Sequence, residues 1–339
     1  MALHIVVLLC IQLSPVQSWL GNKVALALSE TLGTDASVGH ISIGLFNRLI
    51  IDDVSIPDLQ GDTLLRASRL SVKGSLLPLL EGRIVISSAQ LFGAHVRLCQ
   101  EDSTTAPNYQ FVIDALSSDD DSDDKSPLDL HIGSLIVRHS SVSYDRGDAF
   151  TTPGRFNPAH LAVNDISTHI SLKALNPDSL NINLKRLSLR EQSGFSLENF
   201  STHLIAGPSS AHLHDLNILL PHSTLTIDTL DATYELSLST PPRISEYTKR
   251  HFMNTLRYNA TLYGTITPAD LAPLIGGLKQ GTANNLRQSI HTLPPIVLST
   301  SLSGSTRALT VSELDVLTPN GGLTLKASGS IETVKMIWD

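Results

Sequence analysis

The chain is poor in the residues that usually announce chemistry. Its 339 residues include only 2 cysteines, Cys10 and Cys99. So wide a spacing excludes a disulfide framework and a zinc knuckle, and leaves the compartment open. Charged residues make up 17% and aromatic residues 5%, against an ordinary hydrophobic share of 41%, so the apolar content is mostly aliphatic. Basic residues number 24 against 32 acidic ones, for a net charge of -8, with no basic cluster. That removes the electrostatic footprint of a nucleic-acid binder. A glycine-rich phosphate loop, a nucleophile elbow and a His-Glu-x-x-His helix are all missing, so no cofactor and no enzyme activity are expected.

Long hydrophobic runs are missing too. The apolar stretch Ala2 to Leu13, with Leu3, Ile5, Val6, Val7, Leu8, Leu9, Ile11 and Leu13 as its anchor candidates, would form a helix only ~18 Å long. A bilayer core needs ~30 Å. Three readings stay open: the end of a membrane helix that begins upstream, a signal peptide cut after Val16-Gln17-Ser18, or a buried helix. A second helix is expected over 15–33, where Val16, Leu20, Val24, Leu28 and Leu32 form one stripe, Ser14 can cap the start and Gly33 can end it. That stripe either packs on the first strands or lies on a membrane surface.

What the sequence has in abundance is alternation. Leu128, Leu130 and Ile132 alternate with polar residues, as do Leu180, Ile182 and Leu184, then Leu216, Ile218 and Leu220, and later Leu323, Leu325 and Ala327. These are half-buried strands. Where the alternation changes parity, two apolar residues flank a polar pair. Examples are Ile132-Gly-Ser-Leu135, Val163-Asn-Asp-Ile166, Leu184-Lys-Arg-Leu187, Leu197-Glu-Asn-Phe200, Leu213-His-Asp-Leu216, Ile227-Asp-Thr-Leu230 and Val311-Ser-Glu-Leu314. A slip of one residue turns a strand's apolar set to the wrong face unless a bulge or turn absorbs it. The chain therefore reads as short strands, bent or turned at polar pairs.

The expected organisation is an anchor segment over 1–14, the amphipathic helix over 15–33, a first stretch of sheet over 34–116, an acidic mobile loop over 117–127 and further sheet over 128–339. Helical insertions are expected near 244–258 and 268–279. The His212-Leu-His214 pair, with His203 and His222 nearby, lacks the companions of a zinc site and reads as solvent-facing. Asp119, Asp120, Asp121, Asp123 and Asp124 lack an EF-hand's glycine and terminal Glu. A sheet with one aliphatic face must hide it in a sandwich, a barrel or a trough that holds something apolar.

Several segments together resemble a known family. They include Ile11-Gln-Leu-Ser-Pro15, Phe46-Asn-Arg-Leu-Ile-Ile-Asp-Asp-Val54, Asp58-Leu-Gln-Gly-Asp62, Leu76-Leu-Pro-Leu-Leu80-Glu-Gly-Arg83, Gln90-Leu-Phe-Gly-Ala-His95, Asn108-Tyr-Gln-Phe111 and Leu317-Thr-Pro-Asn-Gly-Gly-Leu323. In this order they resemble the amino-terminal region of the TamB family, in the AsmA-like group of envelope proteins, in its Bacteroidetes-like form. The resemblance implies a mainly β protein whose elongated, repetitive antiparallel sheet curves into a groove, the β-taco, behind an N-terminal membrane-anchor helix. It implies a single-pass inner-membrane protein with its bulk in the periplasm, and it makes this chain the amino-terminal part of a longer one.

Its partners would be membrane phospholipid, the inner membrane and, through a carboxy-terminal region beyond this chain, an Omp85-family outer-membrane barrel. The work implied is non-catalytic conduction of phospholipid between the two membranes. Alternatives are a scaffold for assembly of outer-membrane proteins or autotransporters, which would bind strands at a sheet edge, and an extracellular β-helix enzyme. The expected groove lining is Ile84, Ile86, Leu128, Leu130, Ile132, Ile182, Leu184, Leu187, Leu323 and Leu325.

Overall fold

A computed structural model describes residues 14–44, 48–75, 84–117, 128–152, 154–176, 179–235, 255–277, 290 and 292–332. All but Ser14 of the expected anchor over 1–14, and all but Ser117 of the expected acidic loop over 117–127, lie outside these described residues. The described chain is mainly β. Helix α1 (Ser14–Leu32) precedes strands β1 (Ile41–Gly44), β2 (Arg48–Pro57), β3 (Thr63–Ser75) and β4 (Ile84–Gln100), and helix α2 (Gln110–Ser117) precedes β5 (Leu128–Arg146). Then come β6 (His160–Asn176), β7 (Ser179–Glu191), β8 (Ser196–Ala206), β9 (Ser210–Leu219), β10 (Thr224–Thr233) and β11 (Arg257–Ile266). Helix α3 (Pro268–Leu271) runs on as a 3-10 helix over Ala272–Gly277, before β12 (Ile296–Ser305), β13 (Ala308–Leu317) and β14 (Thr324–Glu332).

All 14 strands hydrogen-bond in sequence order in one sheet. The chain divides into two compact units, Met1–His169 with Leu189–Gly194, and Ile170–Ser188 with Phe195–Asp339. Pairing is antiparallel from β1 to β4 and again from β8 to β14, but β4 and β5 are parallel. A parallel pair cannot be joined by a tight turn and needs a long crossover. Helix α2 lies in that connection, inside a stretch expected to be all sheet. Arg257 and Tyr258, expected to close a helix, instead open β11, where they pair with Thr233 and Ala232; of that expected helix Thr255 is helical, and 244–254 lie outside the described residues.

In the first unit one face of the sheet is covered. Val24 and Leu32 of α1 are buried, and Val24 belongs to a cluster with Ile41, Leu49, Ile51, Val54, Ala67 and Val72. Leu28 packs against the same cluster. This covers the Val24, Leu28 and Leu32 part of the expected stripe. Gly33, at φ 65°, ends the helix, and its N–H donates to the Ser29 carbonyl at 2.8 Å. Such a left-handed terminator costs glycine nothing.

The core strands solve the parity problem together. Ile51 and Val54 are both 3% exposed although three positions apart, so strict alternation would put one of them in water. Between them Asp53 takes φ 54°. Register carries the same slip across the unit. Val54 pairs with Ala67 and Asp52 with Arg69. Ala67 pairs with Ala94 and Arg69 with Phe92. Phe92 aligns with Arg138 and His95 with Ser141. The gap in the row is filled by Asp53, Ser68, Gly93 and His139, and Gly93 and His139 are left-handed as well, at φ 56° and 50°. In β6 Asp165 repeats the conformation at φ 53°. Asp and His tolerate this region better than most side chains.

At this seam Ser140 is 4% exposed. Its hydroxyl accepts the Ala94 N–H at 3.1 Å and donates to the Arg138 carbonyl at 3.2 Å, so the slip leaves those two backbone groups paired. Replacing Asp53 by Val, whose branched Cβ resists positive φ, should destabilise the fold by about 1–2 kcal/mol. Asp53→Gly should be neutral or mildly stabilising. Urea unfolding followed by circular dichroism measures both.

Candidate functional site

In the second unit the same sheet chemistry has no covering helix among the described residues. Cross-strand partners share a face, so register reads off its composition. One row runs Leu204, Leu213, Leu230, Ala260, Leu302, Val311 from β8 to β13. The next runs Leu216, Ile227, Leu262, Thr300, Leu314, Ala327 from β9 to β14. A third runs Phe200, Ile218, Leu225, Gly264, Leu298, Val316, Leu325. The exception in the second row, Thr300, is buried and donates its hydroxyl to the Glu313 carbonyl at 2.7 Å, so the row presents its methyl and not a free polar group.

The opposite face is mostly polar, with Leu219, Val297 and Leu317 in one row near its end, and several of its direct partners bond to one another. Thr226 donates to Asn217 at 3.0 Å, His212 meets Asp231 at 2.7 Å, Thr261 meets Ser301 at 3.4 Å and Lys326 donates to Asp315 at 3.1 Å. His203 pairs with His214, and the His214 ring lies 6.4 Å from that of His203 and 6.3 Å from that of His212. Among the described residues no group of three or more His, Cys, Asp or Glu is arranged to hold a metal ion.

Parity again keeps the faces pure. In β9 and β10 the motifs Leu213-His-Asp-Leu216 and Ile227-Asp-Thr-Leu230 lie opposite each other, pairing Leu213 with Leu230 and Leu216 with Ile227. Asp215 takes φ 51°. Neighbours β8 and β11 run past with one residue fewer at this point. In β13 the slip at Val311-Ser-Glu-Leu314 is absorbed against both β12 and β14.

Burial separates this face from an ordinary core. No large aliphatic residue of β8 to β14 is fully buried; in those strands only Ala232 and Ala260, each 8% exposed, are buried apolar residues. The large aliphatic residues of the rows in β8 to β13 are partly buried, while on the outermost strand β14 every residue is exposed, Leu325 and Ile331 at 48% and 67%. Among the described residues no second layer covers the face.

Near one end of these strands, α3 is tied to the turn before β10. The Asp270 carboxylate accepts the Ser223 hydroxyl at 2.7 Å, the His222 N–H at 2.9 Å and the His222 ring at 2.9 Å. Ser223 Oγ in turn accepts the Thr267 N–H at 2.9 Å. Serine, histidine and aspartate meet here, yet the hydroxyl is spent on the carboxylate and has no base. The arrangement is a clasp, not a nucleophile. Burial pushes the Asp270 carboxyl upward, but Ser223 and His222 outweigh it and hold it below the usual 3.8.

The sequence-predicted lining divides between the units. Ile84 and Ile86 of β4 align with Leu128 and Leu130 of β5, and Ile132 follows on β5, all in the first unit. Ile182, Leu184 and Leu187 lie on β7 in the second unit, half-buried, with Lys185 and Arg186 exposed between them. Leu325 belongs to the face. Leu323, 50% exposed, precedes β14, and its carbonyl accepts the Thr318 N–H at 3.0 Å. The expected lining omitted the residues at the centre of the rows, Leu213, Leu230 and Leu302, although the parity motifs name the first two. No family model matches the chain, and no curated protein does.

A folded pKa below the unfolded one gives stability that is present above the unfolded value and lost as pH falls through the folded value. Asp270→Ala should therefore cost about 2 kcal/mol at neutral pH and flatten the fall in melting temperature below about pH 4. A thermal melt series from neutral to acid pH checks both.

Proposed function

We propose that the apolar face of the second unit holds acyl chains, and that the protein conducts phospholipid between the inner and outer membranes without catalysis. In this reading the chain is anchored in the inner membrane with its bulk in the periplasm, and a region beyond it reaches an Omp85-type barrel. The observation that carries the proposal is the aliphatic face of β8 to β14, whose large side chains are only partly buried among the described residues. Leaving such a face in water costs ~25 cal/mol per Å² of apolar surface, so it calls for an apolar occupant. An acyl chain repays ~0.8 kcal/mol per CH₂ covered and can slide, because successive rows offer equivalent contacts. The polar face carries several cross-strand bonds of its own and needs no apolar partner.

A photo-crosslinking residue at Leu213 or Leu302 should recover phospholipid, identified by mass spectrometry, while the same residue at Thr226 or Ser301 should not. Recovery of polypeptide instead would support the assembly scaffold, and recovery of neither would sink both readings. Leu230→Glu should abolish the lipid adduct and leave the circular dichroism spectrum intact. Ile51→Glu, in the covered core of the first unit, should unfold the protein, since an unpaired buried charge costs ~3–5 kcal/mol.

A further inference from the structure

The polar face of the second unit holds a concavity that the lipid reading does not use. On β10, β11 and β12, Asp231, Thr233, Arg257, Asn259, Ser303 and Ser305 sit at alternate positions in paired register, so they share the face opposite the aliphatic rows. They line a space of about 500 Å³, within the ~300–1,000 Å³ of small-ligand sites. The Asp231 carboxylate meets the His212 ring at 2.7 Å, and Ser305 Oγ accepts the Arg307 and Ala308 N–H groups at 3.2 Å each. Among the described residues, the Asn259 side-chain amide and the Thr233 and Ser303 hydroxyls have no hydrogen-bond partner. An amide and a hydroxyl can each donate and accept. Arg257 brings one positive charge and Asp231 one negative, so the lining offers no net field to an ion and suits a neutral polar ligand.

Strand β11 extends this lining. Asn259, Thr261 and Tyr263 are exposed in alternation with the half-buried or buried Tyr258, Ala260 and Leu262, and β11 runs without a bulge against β12. At ~3.4 Å per residue, Tyr263 lies ~14 Å along the strand from Asn259. An aromatic side chain 45% exposed on a polar face has no role in the core. Its hydroxyl donates to Asp228 at 3.1 Å, so what remains for a ligand is the ring. A sugar matches both parts: a pyranose presents C–H groups from one side, which suit the negative face of an aromatic ring, and hydroxyls around its rim. We propose that the polar face binds a linear, uncharged oligosaccharide along β11, with its hydroxyls bonded to Asp231, Asn259 and Ser303 and one sugar ring stacked on Tyr263. A phosphorylated ligand fits less well, because Asp231 and Asp228 would repel it.

Saturation-transfer NMR on the full chain, with cellotetraose and chitotetraose as probes, tests the proposal. At least one tetramer should receive saturation from the protein. Tyr263→Ala and Asn259→Ala should each weaken that binding about three- to ten-fold and leave the circular dichroism spectrum unchanged, since both side chains are exposed. Tyr263→Phe should bind as the parent chain does, because the ring and not the hydroxyl meets the sugar. Failure of both tetramers to bind overturns the proposal. So does binding that Tyr263→Ala and Asn259→Ala leave at full strength, or that Tyr263→Phe abolishes. Lipid crosslinking at Leu213 reads the opposite face, so either result can fail alone.

Discussion

Everything in this sheet depends on keeping one face apolar through strands that break their own alternation. The side-chain period of a strand is two, and a single extra residue inverts every side chain beyond it. The chain accepts the extra residue, and in β2, β4, β5, β6 and β9 a left-handed residue sits at the slip. Asp53, His139, Asp165 and Asp215 all take positive φ within strands. In the first unit the slips of β2, β3, β4 and β5 fall in one transverse row, so the strands change phase together. In the second unit β9 and β10 change phase against each other, with Asp215 and Asp228 in the gap, and β8 and β11 pass by unbulged. These are two solutions to one steric constraint, and both keep one face mainly aliphatic.

The units differ in what is done with that face. In the first, α1 lays Val24, Leu28 and Leu32 on it, and Ile41, Ile51 and Val54 fall to 2–3% exposure. In the second, residues of the same types in the same pattern stop at half-burial. Among the described residues the difference lies in the covering layer, not in the strands. A pattern of Leu, Ile and Val at alternate positions therefore reports which face is apolar and leaves open whether protein covers it.

That limit marks what could be read beforehand. The strand character of the chain was legible, as were the parity slips at Leu213 to Leu216, Ile227 to Leu230 and Val311 to Leu314, because apolar residues flank each polar pair. The slip at Val137-Arg-His-Ser140 was not, because Ser140 occupies a core position with a polar side chain whose bonds are visible only in the fold. Helix α2 was hidden by its length, since Gln110–Ser117 offers barely two turns of periodicity. Tyr258 was misread because its spacing from Phe252 and Leu256 is loosely helical, while its pairing with Ala232 and Gly304 lies far away in sequence. For the same reason the centre of the apolar face was under-named: a row such as Leu204, Leu213, Leu230 exists only once register is known.

The scarcity of aromatic residues bears on what the face can do. Its long rows hold Phe200 at one margin and otherwise aliphatic residues, alanine, glycine and the self-satisfied Thr300. Aromatic side chains bring specific ring geometries and large contact areas, and they would make some stations on the face much stickier than others. A binding site gains from that unevenness; a path loses by it, because every strong station becomes a trap. Branched aliphatic side chains contribute nearly equal increments per area covered, and they repeat at the strand spacing of ~4.8 Å. In the proposed reading a face of that kind would hold an apolar chain without fixing its position, which is the property that lipid conduction requires and a packed protein core does not.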